Sequence, residues 1–495
     1  MTSVPVSASS RILTPGTYHL IGIGGIGVSG IARLLHARGL GVQGSDVRES
    51  QLTESLRKIG IPVFIGHAAA NLDGADTVVV STAIPASNLE FVAAMDRGLR
   101  LLHRSEALGA LLADRRGIGI IGTHGKGTVS AAITWLLDAA GWNPGFVIGG
   151  LLENYRINAR DGGPAPDGSR WLVAEVDESD GSLVNSHPEI AVLNNLELDH
   201  LHYYPEWEKL EAAVVAFFRD NPRLRKAILN ADDAGSAKIL ALLREKAWGA
   251  AVGSEAPAVE LVTFGFDTPS VDVPSVNVRG VDLQVGRMQG SFGVEVKQAD
   301  GSYLDFGRVN IGLPGRYNAS NLLGAIATAL AAEVPWQAIV EAAPGYKGLE
   351  NRFTLVDAAG VEVVKDYISH PTGIKRVLEA ARSQAQGPVV AVFKPYRFTM
   401  IHYLQDDYRE AFREADRVVV TELYTAGEVP IPGIDTDFLC AKIREVVADV
   451  SYVHELTAIT PWLMREVAAP ATVLFFGGDD LFGEADRFVR ARRTL

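Results

Sequence analysis

Along the first hundred residues, short apolar runs alternate with helical patterns. TYHLIGIG is an apolar strand entering a glycine turn, and GVSGIARLLHARG leaves it as a helix. VQGSD, IPVFIGH, DTVVVSTAI and LRLLHR follow as short strands with helical patterns between them. This alternation predicts a parallel, doubly wound sheet. The same grammar restarts at GIGIIGTHGKGTVSAAITWLLDAAG, and WLVAEVDES and IAVLNNLELDH are apolar runs ending in acids. Residues 250–307 carry short alternating runs rich in Val and Gly, which predict a small antiparallel β insertion. LPGRYNASNLLGAIATALAAE then continues as an Ala-rich helix. VEVVKDY, GPVVAVFKP, ADRVVVTEL and ATVLFFGGDD alternate with GIKRVLEAARSQ and YREAFREA, a third α/β unit.

The chain has 495 residues, which at about 100–200 per domain suggests three domains. The pattern places them at 1–115, 116–346 and 347–495. A formal charge of −13 speaks against a general nucleic-acid binder, which carries a basic patch. Phosphates of small nucleotides stay possible, because backbone N–H groups can hold them. Cys440 is the only cysteine, so intramolecular disulfides are ruled out and a small core residue is expected there. The sequence shows neither the apolar stretch of a signal peptide nor a membrane-length apolar run, and a cytoplasmic protein is expected. Nothing in the pattern specifies an oligomeric state.

Two glycine loops carry the candidate chemistry. Gly22-Ile23-Gly24-Gly25-Ile26-Gly27 fits G-x-G-x-x-G between a strand and a helix. Its glycines let a pyrophosphate approach the helix N-terminus, and Asp46, about 20 residues on, stands where a ribose-binding acid belongs. The motif fits a dinucleotide such as NAD and a UDP-sugar equally. The second loop, Gly122-Thr123-His124-Gly125-Lys126-Gly127-Thr128, is a shortened P-loop, in which Lys126 can neutralise β- and γ-phosphates. A P-loop hydroxyl for Mg²⁺ usually follows the lysine; here that residue is Gly127, so Thr128 is the candidate. Glu175, Asp177 and Glu178 end one strand, and Asn195, Glu197, Asp199 and His200 end another. Strand ends of a parallel sheet are where ligands bind, so both groups belong beside the P-loop. Glu175 and His200 are candidate metal ligands with Thr128.

GIGGIGVSG, GTHGKGT, AEVDESDGS, NLELDH, LPGRYNASN, ENRFTLV, DYISHPT and ELYTAGEVPIPGI, in this order, resemble the Mur ligases of peptidoglycan synthesis. The resemblance spans all three domains. It implies a Rossmann-like UDP-sugar domain with Gly22, Gly24, Gly25, Ile26, Gly27 and Asp46 at the ligand. It implies a central domain that binds ATP and Mg²⁺, and a Rossmann-like C-terminal domain near which the amino acid binds. By the same resemblance Asn318 contacts adenine, Arg352 and Asp366 help hold ATP, and His370 and Arg397 face the acceptor or the reaction centre. Lys126, Glu175 and His200 join these two as catalytic groups.

The implied activity is ATP-dependent amide formation between L-alanine and the lactyl carboxylate of UDP-N-acetylmuramate through an acyl phosphate. Three departures from the family pattern stand out. Gly127 replaces a hydroxyl residue, though GKGT also resembles the related folylpolyglutamate synthetases. Ser369 replaces the first of a usual His pair, and Met400 stands where an Arg is usual. PGFVIGG and the Thr399-Met400 pair resemble instead the relative that attaches a recycled tripeptide. Alternatives are therefore a ligase with a peptide acceptor or a secondary-metabolite donor, and a catalytically inactive nucleotide-binding regulator. An NAD-dependent dehydrogenase would explain the first loop but leaves the P-loop without a use.

Overall fold

The computed structural model describes residues 13–201, 203–245, 258–266 and 276–494. The first sheet contains β1 (Thr17–Ile21), β2 (Gly41–Asp46), β3 (Val63–Ile65), β4 (Thr77–Val80) and β5 (Arg100–His103). Their order is β3-β2-β1-β4-β5, all parallel. The chain therefore reverses its direction of travel between β1 and β4, and a crevice opens there at the strands' carboxyl ends. All five strands coincide with the short strands expected from the sequence.

The second sheet has ten strands. These are β6 (Arg116–Ile121), β7 (Gly145–Leu152), β8 (Ile157–Arg160), β9 (Trp171–Glu175), β10 (Ile190–Leu193), β11 (Lys226–Asn230), β12 (Glu260–Gly265), β13 (Val278–Gly286), β14 (Gln289–Lys297) and β15 (Tyr303–Ile311). The order is β15-β14-β13-β12-β11-β10-β6-β9-β7-β8. β6 lies parallel between β9 and β10, so the P-loop and both acidic strand ends emerge at the same edge. The small β insertion is not a detached sheet: β12 continues the parallel array on β11, and β13–β15 extend it. Residues 250–257 and 267–275 of the expected insertion fall outside the described residues.

The third sheet contains β16 (Thr354–Ala358), β17 (Val361–Asp366), β18 (Val389–Phe393), β19 (Arg417–Val420), β20 (Asp449–Tyr452) and β21 (Ala471–Phe476). The order is β16-β17-β21-β18-β19-β20, and only β16 runs antiparallel. β21 is buried along its whole length, as a strand covered on both faces requires. Cys440 is buried in this region's core.

Contacts divide the chain into two compact units. One is Met1–Asp282 with Phe292–Asn310 and Ser320–Leu349; the other is Leu283–Ser291 with Ile311–Ala319 and Glu350–Leu495. Within the first unit, the first sheet and the strands after β6 share one apolar core. Ile31, Leu34 and Leu35 of the helix Ile26–Ala37 cluster with Val147, Ala159, Leu172 and Ala174. Gly30 permits that approach, because a Cβ there would meet Val147 Cγ1 at 3.1 Å and Ala159 Cβ at 3.4 Å. Asn158 seals the contact by donating to Ile26 O at 2.7 Å.

Candidate active site

The first glycine loop is held from β2. Gly22 takes φ +75°, a conformation glycine tolerates without strain. The N–H groups of Gly22 and Ile23 both donate to Ser45 O, at 2.8 and 2.9 Å. Gly24 N donates to Asp46 Oδ2 at 2.9 Å, and a Cβ on Gly24 would stand 2.8 Å from that oxygen. Asp46 therefore braces the loop as well as lying at the carboxyl end of β2. Gly25 precedes the helix Ile26–Ala37 with no side-chain cap. Ile26 opens this helix, and the Gly27 position lies on its first turn beside the Arg104 guanidinium.

Below this loop sits a buried polar cluster. Glu90 and His19 have fully buried side chains and are 3.2 Å apart. Glu90 also accepts from Ser45 Oγ and from Asn71 Nδ2 at 2.6 Å, and lies 3.2 Å from His67 Nδ1. Burial would raise the Glu90 pKa, but the hydrogen bonds from His19, Ser45 and Asn71 hold it at about 2.

In the second loop, Gly122 (φ +136°) and Gly125 (φ +75°) both have left-handed backbone. Gly125 caps the helix Lys126–Ala139, whose first turn has no acidic residue and no side-chain cap. Such an end offers N–H groups and a positive dipole to an anion. Neighbouring strand ends shape the loop. Asn195 Oδ1 accepts from His124 N at 2.7 Å, and its Nδ2 donates to His124 O at 2.8 Å. Thr123 Oγ1 donates to Glu197 O at 3.0 Å. Asn194 donates to His124 O at 3.1 Å and to Asn321 Oδ1 at 2.9 Å. Asn321 sits one turn beyond Asn318 in the LPGRYNASN motif, and sequence reasoning passed over it.

Lys126 is largely buried and donates to Gly122 O at 2.7 Å and to Glu178 Oε1 at 2.8 Å. Burial alone would lower its pKa, yet Glu178, Glu175 and Asp177 raise it, so the ammonium is charged. Glu178 is buried, and its second oxygen has no hydrogen-bond partner. His200, with φ +53°, places Nε2 3.6 Å from Glu178 Oε1. Burial opposes its protonation, but Glu178 and Asp199 raise its pKa. Glu175 instead accepts from Gly149 N at 2.7 Å. The structure thus brings Lys126, Glu178 and His200 together, while Glu175 turns to Gly149 N.

The Gly127 departure has a local cause. A Cβ there would meet Leu349 Cδ1 at 2.8 Å and Glu175 Oε2 at 3.1 Å. Leu349 occupies the room that a side chain after Lys126 would need. Thr128, buried on the first turn of the helix, is the nearest hydroxyl in sequence, and its carbonyl accepts from Tyr346 Oη at 2.7 Å. Glu178 stands beside Lys126 and His200 with one buried carboxylate oxygen unpartnered, and such an oxygen suits a hard divalent cation.

The second unit carries the remaining candidates. Asp366, at the end of β17, accepts from Phe353 N at 2.9 Å and lies 3.6 Å from Arg352 Nη1. Burial pushes its pKa up to about 6 against the pull of Arg352. Arg352 also donates to Tyr367 O at 2.6 Å. Asn318 is buried and donates to Pro314 O at 2.8 Å. His370 is a buried helix cap preceding Pro371, and Ser369 O accepts from Tyr408 Oη at 2.7 Å. Arg397 has φ +65° and lies 3.2 Å from Glu428 Oε1, with its guanidinium over the Tyr396 ring. Met400 is buried in the core of this unit rather than presented to solvent.

Asp366 gives a testable pH dependence. Its folded-state pKa of about 6 exceeds the ordinary value of 3.8, so the folded protein binds this proton more tightly than the unfolded chain. Stability from this group is present below 3.8 and lost as pH rises through 6. Asp366→Asn keeps an acceptor for Phe353 N and removes the penalty. The stability of the variant relative to wild type is expected to rise by up to ~3 kcal/mol between pH 4 and pH 7. Thermal melts across that range check it, and a constant difference would contradict the buried-charge account.

A parallel sheet with a P-loop lysine and acids at one edge, in a chain that also carries two further α/β sheets, defines a nucleotide-binding ligase architecture. The chain belongs to the Mur ligase family. Residues 17–116 match the model of the Mur ligase family, catalytic domain, residues 120–329 the Mur ligase middle domain, and residues 351–478 the Mur ligase, glutamate ligase domain. A UDP-N-acetylmuramate–L-alanine ligase of Rhizorhabdus wittichii is 37% identical over 474 residues, covering 94% of this chain and 95% of that one. The ligase of the same name from Caulobacter vibrioides is 35% identical, covering 94% of each. Among solved structures, the UDP-N-acetylmuramate-alanine ligase MurC of Thermotoga maritima superposes with a TM-score of 0.76 at 24% identity, covering 97% of this chain and 99% of that one. The murein peptide ligase mpl of Psychrobacter arcticus gives 0.68 at 22%, again covering 97% and 99%. These two superpositions establish the shared fold. Among the described residues, no helix is long and apolar enough to cross a membrane.

Proposed function

We propose that this protein joins L-alanine to the lactyl carboxylate of UDP-N-acetylmuramate, with ATP as the energy source, in the cytoplasm. The observation that carries this reading is Lys126, charged and fixed at the carboxyl edge of the central sheet, in a chain alike along 94% of its length to ligases of that name. The first loop, Gly22–Gly27 with Asp46, takes the UDP moiety. The second, Gly122–Thr128, takes the triphosphate of ATP.

The chemistry is phosphoryl then acyl transfer. A carboxylate oxygen of the donor attacks the γ-phosphorus, the bond to the β-bridging oxygen breaks, and ADP leaves. The amine nitrogen of the acceptor then attacks the acyl carbon, inorganic phosphate leaves and the nitrogen sheds a proton. Lys126 offsets the charge that gathers on the transferring group, and the N-terminus of the helix Lys126–Ala139 orients it. Thr128, Glu175 and His200 would hold Mg²⁺, which supplies Lewis-acid charge neutralisation when bound. Asn195 and Asn194 keep the loop in shape, which is positioning rather than chemistry. Arg352, Asp366 and Asn318 are assigned to ATP, and His370 and Arg397 to the acceptor side.

Incubation with ATP, Mg²⁺ and UDP-N-acetylmuramate plus single amino acids or the L-Ala-D-Glu-diaminopimelate tripeptide tests the reading. Phosphate release that depends on L-alanine is expected. Release only with the tripeptide moves the acceptor, and absence of release with every acceptor defeats the ligase reading.

A further inference from the structure

The two acidic strand ends are joined by one buried phenol. β9 stops at Glu175, and Val176 N donates to Ile120 O at 2.9 Å as the chain leaves the sheet. Glu178 lies beyond that bond. Its carbonyl accepts instead from Gly181 N at 3.0 Å and from Tyr204 Oη at 2.7 Å. Tyr204 follows His200 closely in sequence, and its own N–H donates to His200 O at 3.0 Å. One residue thus bonds the main-chain carbonyls of both Glu178 and His200, whose side chains approach to 3.6 Å.

Tyr204 is firmly seated. It is fully buried, in one apolar cluster with Val176, Leu183, Leu196 and Leu210. The Tyr203 ring meets it edge-on, with centroids 4.8 Å apart and planes at 83°. Gly181 has φ +73°, and a Cβ there would fall 2.3 Å from Tyr203 Oη. The acidic turn and the aromatic turn are therefore packed as closely as glycine allows. Glu178 is tied at its backbone, while its side chain keeps one oxygen on Lys126 Nζ and the other buried without a hydrogen-bond partner. A carboxylate that is to meet a metal depends on outer partners that hold it in one orientation.

We infer that Tyr204 is a positioning residue for the divalent cation: its hydroxyl fixes the Glu178 backbone and so aims the free carboxylate oxygen at the metal beside His200. The inference rests on the assignment of Mg²⁺ to this edge of the central sheet. Tyr204 acts through Glu178 rather than on the metal. Tyr204→Phe keeps the ring, its edge-on contact and the bond to His200 O, and removes only the hydroxyl arm. A tyrosine that merely filled the core would cost stability on that change and leave metal affinity where it was.

The test is titration of the full-length protein with Mn²⁺ alone, read by electron paramagnetic resonance of the free ion, beside the Mg²⁺ dependence of phosphate release. Tyr204→Phe is expected to weaken Mn²⁺ binding about tenfold, the usual cost of losing a partner that orients a metal ligand. The Mg²⁺ concentration for half-maximal release should rise by a similar factor, and kcat should return at saturating Mg²⁺. UDP binding should be unchanged. Tyr18→Phe supplies the comparison, because Tyr18 is also fully buried and its Oη donates to Thr14 O at 2.9 Å, on β1 of the first sheet. That variant should melt at lower temperature with Mn²⁺ affinity unchanged. Unaltered Mn²⁺ affinity in Tyr204→Phe, or equal weakening in Tyr18→Phe, overturns the inference. Wild type that binds no Mn²⁺ removes the cation assignment itself, and the inference falls with it.

Discussion

Lys126→Ala will abolish ATP-driven phosphate release while leaving UDP binding at the first loop unchanged. Loss of a preorganised charge at a transferring phosphoryl group costs at least about 10²–10³-fold in kcat. The substitution also removes the cation paired with Glu178, whose other oxygen is already buried without a partner. Breaking such a pair from one side costs about 3–5 kcal/mol, so the variant should melt at lower temperature. Lys126→Ala combined with Glu178→Gln separates the two effects: the melting temperature should recover and turnover should not. Retained turnover in the single variant would remove the P-loop from the mechanism. Lost UDP binding would mean that the two loops have been assigned to the wrong ligands.

Glu90→Gln should produce the largest stability loss in the first domain. The Glu90 carboxylate is fully buried, and its folded-state pKa of about 2 lies below the ordinary value of 4.5. A depressed pKa means that this contribution is fully present above 4.5 and lost as pH falls toward 2. The difference corresponds to ~3 kcal/mol at neutral pH. The deficit of the glutamine variant should therefore be large at pH 7 and shrink below pH 4.5. Donor affinity should fall with it, because Ser45 both donates to Glu90 and supplies the carbonyl that holds Gly22 and Ile23. Melts at several pH values settle the point: a deficit independent of pH would mean that cavity and packing effects dominate, and the electrostatic account fails.

The sequence was most legible where apolar runs abut glycines. β1 and β4 of the first sheet and β6, β9 and β10 of the second are such runs, and burial on both faces is what makes them continuous. β8 and β20 are short and mixed, so local pattern gives little sign of them; their place is set by neighbours. β7, GFVIGGLL, is an apolar run broken by a glycine pair, so its period is weak. Among the candidates, Lys126 is marked by its glycines and His200 by its strand end, and the two lie beside Glu178. Glu178 stood in the same acidic run, but spacing alone does not say which acid turns toward the lysine. Asn321 and Arg104 meet segments far apart in sequence, and spacing along the chain does not reveal such contacts. Gly127 shows the reverse: a departure at one position becomes intelligible only once Leu349 is seen filling the adjacent space.

Gly30 and the core it closes bear on how such enzymes could be recombined. Cutting the chain at the first family boundary would strip Ile31, Leu34 and Leu35 of the neighbours that cover them. A chimera that borrows the front module from another ligase would inherit a greasy, mismatched seam unless the hairpin formed by β7 and β8 travelled with it. The portable piece is thus discontinuous in sequence: the front sheet plus a borrowed strip of the middle one.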